Sequence, residues 1–214
     1  MARLTYNPKV FDVPDETAAK RIILTPDGGL KTSERWETET PYLADLIGER
    51  IAAAPGGLVI DYGCGIGRLA KALIARNGWQ VLGVDISQDM RALAPPYVAS
   101  ANFSVVSPEV FRTLVAGGLR AEGVFSVWVI QHCLDPQAEL ELIHSALGDT
   151  ASLVVVNLKA RAVPTVEKLW ASDGVDVRQL LAARLAVREE GLLDPAVVGQ
   201  HISDVSFWGV YDKR

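Results

Sequence analysis

Cysteine is scarce in this chain, with Cys64 and Cys133 the only two among 214 residues. Two thiols cannot form a disulfide scaffold or a four-thiolate zinc site, so the sequence reads as a protein of the reducing cytoplasm. Surplus positive charge is missing too. Lys and Arg number 21 against 26 Asp and Glu, a formal net charge of -5, which lacks the basic character of a domain that tracks nucleic-acid phosphates. The apolar runs, such as Val124 to Ile130 and Leu153 to Val156, fall far short of the roughly 20 residues of a membrane helix. The opening Met1 to Tyr6 leads into no apolar stretch of the kind a secretory signal carries. There is no internal repeat or low-complexity segment. Nucleic acid and membrane are therefore not expected partners.

What is present is a balanced globular composition, 49% hydrophobic and 22% charged, enough for one well-buried domain. Residues 1 to 31 carry Pro8, Pro14, Pro26 and the Asp27-Gly28-Gly29 turn, so they read as an arm with one short apolar element at Arg21 to Leu24. Thr40 and Pro41 look like the cap and first position of an amphipathic helix that ends at Pro55-Gly56-Gly57. Strand and helix signals then alternate. Strands are expected at Leu58 to Asp61, Trp79 to Asp85, Phe103 to Val106, Val124 to Ile130 and Leu153 to Leu158. Helices fall between them, the one after Ser87 being cut near Ala94 by Pro95-Pro96. Beyond Pro164 the pattern predicts one helix from about Val175 to Glu190 and a last strand from Val205 to Tyr211. No sixth strand is evident between them. Five strands alternating with helices predict an α/β fold: a Rossmann-like open, mostly parallel sheet with helices on both faces.

Between the first strand and its helix lies Asp61-Tyr62-Gly63-Cys64-Gly65-Ile66-Gly67. Alternate glycines permit a tight turn and close approach of a ligand, and the helix N-terminus beyond them offers unpaired N–H groups. Spacing alone leaves two ligand classes open, because Gly65-Ile66-Gly67-Arg68-Leu69-Ala70 satisfies the looser dinucleotide pattern. Asp85 at the end of the second strand suits a ribose diol in either class.

With Asp61 leading it, the loop has the form D-x-G-x-G-x-G and resembles the first motif of the class I S-adenosylmethionine-dependent methyltransferases. The resemblance covers roughly residues 57 to 158. It implies a cofactor site for S-adenosylmethionine, with S-adenosylhomocysteine as product. In that site Gly63, Cys64 and Gly65 approach the methionine portion, Asp61 helps position its ammonium, and Asp85 with Ile86 meets the ribose. Ser107 is left to contact the adenine, since Pro108 has no polar side chain there. Val129 would wall the site from the fourth strand. Arg35 would reach the cofactor carboxylate, and Trp36 would cover the site. The implied division is an N-terminal arm and cap helix over residues 1–56 and a cofactor-binding domain over 57–214, a single domain overall with an antiparallel last strand.

The resemblance also places His132 beside the transferable methyl, where an imidazole can act as general base toward a hydroxyl or thiol or else serve as a packing residue. Arg161, Pro164, Trp170 and Asp173 occupy the region that shapes acceptor specificity. His132, Cys133 and Asp135 are adjacent rather than grouped at helical spacing, so no metal is expected. Cys64 reads as a small residue of the loop rather than a nucleophile. The expected acceptor is a small molecule, because the charge balance disfavours nucleic acid. The alternatives are an NAD(P)-dependent oxidoreductase and a non-catalytic binding module on the same fold.

Overall fold

The computed structural model describes residues 5–214. Met1 to Leu4, the start of the expected arm, lie outside the described residues. The arm forms one 3-10 turn, Pro8–Phe11, and helix α1, Glu16–Ile23. This helix is longer than the expected apolar element because Asp15 caps it, accepting from Ala18 N at 2.8 Å.

Helix α2 spans Thr32–Gly48, with Pro41 in its interior rather than at its first position. Glu34 accepts from Lys31 N at 2.7 Å and secures an earlier start. The lost N–H of Pro41 is tolerated because Leu43, Leu46 and Ile47 are buried on either side of the next turn.

Strands β1 (Leu58–Tyr62), β2 (Gln80–Val84), β3 (Phe103–Val106), β4 (Ala121–Val127) and β5 (Leu147–Leu158) run parallel. They alternate with α3 (Arg68–Asn77), α4 (Gln88–Val98), α5 (Pro108–Ala116) and α6 (Pro136–Ala146). Helix α4 continues through Pro95 and Pro96 to a buried Val98 and stops where Ala99 turns left-handed at φ 53°.

The expected helix ending at Glu190 divides into α7 (Val177–Arg184) and strand β6 (Ala186–Gly191). Its charged Arg188-Glu189-Glu190 is compatible with a helix surface, but pairing with the neighbouring strand decides the conformation. Short helices α8 (Pro195–Val198) and α9 (Gln200–Val205) lead to β7, Ser206–Asp212. This strand is antiparallel to both β5 and β6, giving the order β3-β2-β1-β4-β5-β7-β6.

Helices cover both faces of the sheet, as the unbroken apolar strands require. Ile60, Val124, Leu153 and Val155 pack with Phe111, Leu140 and Leu181 on one face. Their neighbours Val59, Phe125, Val154 and Val156 pack with Leu43, Ile47 and Leu73 on the other. A smaller cluster joins Val13 and Ala19 of the arm to Ile66 and Met90, seating α1 over the glycine loop. No helix among the described residues is long and apolar enough to cross a membrane. Strand order reverses direction between β1 and β4, and a crevice opens there beyond the carboxyl ends of the strands.

Candidate active site

The crevice holds a cavity of about 560 Å³, roofed by the arm and α1. Ligand pockets of small molecules fall in the range of roughly 300–1,000 Å³. Asp61, Gly63, Cys64, Gly65, Asp85 and Ile86 line one half of it. His132, Val129 and Trp170 line the other, together with aromatic residues of the arm.

The glycine loop is built to close dimensions. Gly63 has φ 82°, and a Cβ there would lie 2.1 Å from Val129 Cγ2. Gly65 has φ 53°, and a Cβ would lie 2.7 Å from Ile23 Cδ1. Its N–H donates to Asp85 Oδ2 at 2.8 Å, and Ser87 N donates to Asp85 Oδ1 at 2.8 Å. Asp85 is thus aimed by two backbone donors and joins β2 to the loop. Burial raises its carboxyl above the ordinary range, with those donors opposing the shift.

Asp61 is 4% exposed, and burial together with the charge of Asp85 pushes its carboxyl well above the usual value. Arg68 opposes that shift, and burial lowers Arg68 itself to about 10. Arg35 also lines the cavity; its Nε donates to Glu39 Oε1 at 2.5 Å and its second nitrogen to the Thr25 carbonyl at 2.6 Å. Glu39 is fully buried with Oε2 unpartnered among the described residues, and burial raises its carboxyl. One end of the cavity therefore carries two arginines and the carboxylate of Asp61, able to meet a group that is itself an anion and a cation.

Strand β4 stops at Val127, short of the expected Ile130. Trp128 adopts a left-handed φ of 62°, a strained conformation for a bulky residue, and Ile130–His132 form a single 3-10 turn. That reversal brings Val129 against Gly63 and His132 into the cavity wall. His132 Nδ1 lies 2.6 Å from the Ala162 carbonyl, which can only accept, so Nδ1 carries the proton. Gln131 accepts from Leu158 N through Oε1 at 2.8 Å, so its amide nitrogen donates to His132 Nε2 at 3.2 Å. Both ring nitrogens thus have partners within the protein, and His132 stands in the cavity wall.

Burial lowers His132 from 6.5 to about 4. The unfolded chain takes up a proton at that position near 6.5 while the folded chain resists until about 4, so stability falls as pH drops through that window. His132→Gln should flatten this acid limb by up to about 3 kcal/mol, since each tenfold change in proton affinity is worth about 1.4 kcal/mol. Urea unfolding of both proteins at a series of pH values measures it, and parallel profiles would refute it.

Two expected site residues stand elsewhere. Trp36, one position on from Arg35 and so about 100° around α2, does not line the cavity; it meets Tyr97 edge-on at 6.2 Å, with Lys20 and Arg68 over its ring. Ser107 caps α5 by accepting from Val110 N at 3.4 Å, and its neighbour Pro108 lines the cavity instead. Arg161 and Asp173 form an ion pair at 2.6 Å, and Arg161 also donates to the carbonyls of Cys133 and Leu134. They clamp the loop after β4 and do not line the cavity. Pro164 accepts from Asn7 N at 3.0 Å, tying the arm to the segment after β5.

Sequence reading missed Tyr6, Phe11, Tyr62, Arg68 and Glu139 in the lining. The arm residues carry no periodic signal. Glu139 could have been found from Asp135, the cap that starts α6 one turn earlier.

In comparisons with known proteins, residues 35–203 match the family described as "Methyltransferase domain". No curated protein matches the chain. Among solved structures, a protein from Pyrococcus horikoshii OT3 is 20% identical with a TM-score of 0.62, over 87% of this chain and 93% of that one. A SAM-dependent methyltransferase from Anabaena variabilis ATCC 29413 is 19% identical with a TM-score of 0.60, over 83% and 85%. One from Thiobacillus denitrificans, in complex with S-adenosyl-L-homocysteine, is 13% identical with a TM-score of 0.59, over 95% and 100%. At these identities the likeness is one of fold.

Proposed function

The chain belongs to the methyltransferase-domain family, and from that premise we propose that it methylates a small molecule held in the aromatic half of its cavity. It is an S-adenosylmethionine-dependent enzyme. The cofactor, when bound, supplies an electrophilic methyl carbon on a sulfonium whose electron pair returns to sulfur as the methyl departs. This chain's residues align the reactants and exclude water, effects worth several kcal/mol of barrier.

The observation that carries the reading is Asp85, held in the cavity lining by Gly65 N and Ser87 N beside the glycine loop. Its oxygens keep lone pairs for the two hydroxyls of a ribose. Ile86 would flank the ribose, and Gly63, Cys64 and Gly65 would pass beside the amino-acid portion, with Val129 as wall. Arg35 suits a carboxylate and Asp61 an ammonium, which removes the penalty of burying each charge without a ligand. His132 is assigned to the wall, with no proton transfer.

A small-molecule acceptor is supported by the roof that the chain's own arm places over the cavity. A hydride-transfer reading expects a tyrosine–lysine pair, and no lysine lines the cavity among the described residues. Titration calorimetry decides between them: S-adenosylhomocysteine should bind in the micromolar range or tighter and NAD should give no heat. The reverse pattern would overturn the proposal.

A further inference from the structure

The half of the cavity beyond the cofactor residues has a consistent chemistry. Tyr6 and Phe11 from the arm, Trp170 from the segment after β5 and Tyr62 from β1 supply aromatic walls. Phe11, His132 and Trp170 cluster with ring centroids 4.5 to 6.2 Å apart. Among the described residues, the acidic side chains lining this half are those of Asp135 and Glu139, at the start of α6. Tyr62 donates its hydroxyl to Glu139 Oε2, while Oε1 makes no hydrogen bond among the described residues. One oxygen is fixed by the protein and the other is left for a ligand.

Among the described residues the cations lie elsewhere. Arg35 and Arg68 line the cofactor half, Arg35 bound to Glu39 and the Thr25 carbonyl and Arg68 donating to Thr40. Arg161 is committed to Asp173 and two loop carbonyls, and neither it nor Arg112 lines the cavity. His132 remains a neutral imidazole at ordinary pH. Tyr6 keeps its proton, pushed up to about 12 chiefly by burial. Among the described residues, an anion entering this half would meet two carboxylates and no cation in the lining, Arg161 and Arg112 acting on Tyr6 and Tyr62 from behind the wall, whereas a cation would meet carboxylates and π faces together.

Building on the methyltransferase reading of the site, we propose that the acceptor is an amine on a flat or apolar body, held as its ammonium by Glu139 between the aromatic walls. One N–H proton passes from the ammonium to the Glu139 carboxylate, and its bonding pair stays on nitrogen. That lone pair forms the new N–C bond while the C–S pair returns to sulfur, leaving an N-methylammonium and a neutral thioether. The proton on Glu139 then returns to water. Tyr62 is a positioning residue that fixes the carboxylate.

The test uses the full chain saturated with S-adenosylhomocysteine, whose affinity is measured first and separately. Phenethylamine, phenethyl alcohol and hydrocinnamate are then titrated by calorimetry near neutral pH. The amine should bind at least about tenfold tighter than the alcohol, and the carboxylate should not bind. Glu139→Gln should lower amine affinity about tenfold, the scale of one hydrogen bond to a charged group, while the affinity for S-adenosylhomocysteine stays unchanged. Tyr62→Phe should give a smaller loss of amine affinity. Thermal melts confirm folding, and Glu139→Asp, which keeps the charge, should restore part of the preference should Glu139→Gln fail to fold.

Equal binding of amine and alcohol, binding of the carboxylate, failure of all three probes, or a preference unaltered in the Glu139 variants would each overturn the inference. Failure of S-adenosylhomocysteine itself would instead overturn the cofactor site on which it rests.

Discussion

Asp85→Ala should weaken S-adenosylhomocysteine binding by about 100-fold or more in titration calorimetry, with the protein still folded by thermal melt. In the proposed site the carboxylate would accept from the ribose hydroxyls, and hydrogen bonds to a charged group are worth roughly 1.5–3 kcal/mol each. The variant loses more than those contacts. Gly65 N and Ser87 N, each 2.8 Å from an oxygen of Asp85, lose their partner at the same time, so the loop is no longer tied to β2. Two such bonds amount to roughly two to four decades of affinity at about 1.4 kcal/mol per decade. Asp85→Asn, which keeps one oxygen acceptor, should fall between the two. Unchanged affinity in the alanine variant would remove Asp85 from the site and the cofactor geometry with it.

Gly63→Ala should lower the melting temperature by on the order of 10 °C and abolish measurable cofactor binding. A left-handed conformation costs an L-residue about 1–2 kcal/mol, and overpacking of a close contact adds about 1–3 kcal/mol. Here both apply, at φ 82° and with the new Cβ 2.1 Å from Val129 Cγ2. For a domain of this size each kcal/mol moves the melting temperature by about 2–4 °C. The two contributions can be separated. Combining Gly63→Ala with Val129→Ala removes the nearest methyl groups, so part of the loss should return while the part due to φ remains. A Gly63→Ala protein that melts like the parent would mean that the loop and Val129 do not meet as described.

The effect of Gly63 on Val129 marks the boundary of what was legible. The five parallel strands were readable because each is an apolar run buried on both faces, and the turns between them carry glycine and proline at fixed places. Asp61, the glycines and Asp85 were readable for the same local reason. They sit at the ends of those strands, where a parallel sheet must place its ligand. Trp36 was misplaced because one residue along a helix turns a side chain by about 100°, and no local pattern says which way α2 rotates. Strand β6 was hidden because Arg188-Glu189-Glu190 suits a helix surface as well as an edge strand.

The sequence by itself determined the class of fold, the glycine loop and the acid at the end of the second strand, since these follow from periodicity and from residues adjacent along the chain. Tertiary structure decided the other half of the cavity. The arm that carries Tyr6 and Phe11 is far along the chain from the turn at Trp128 and the first turn of α6, and they converge only when the sheet is complete. The same packing commits the His132 lone pair to Gln131 and leaves an oxygen of Glu139 without a hydrogen bond among the described residues. Which of these groups can act on a ligand is settled by burial and hydrogen-bond partners, and neither is written in residue type or spacing.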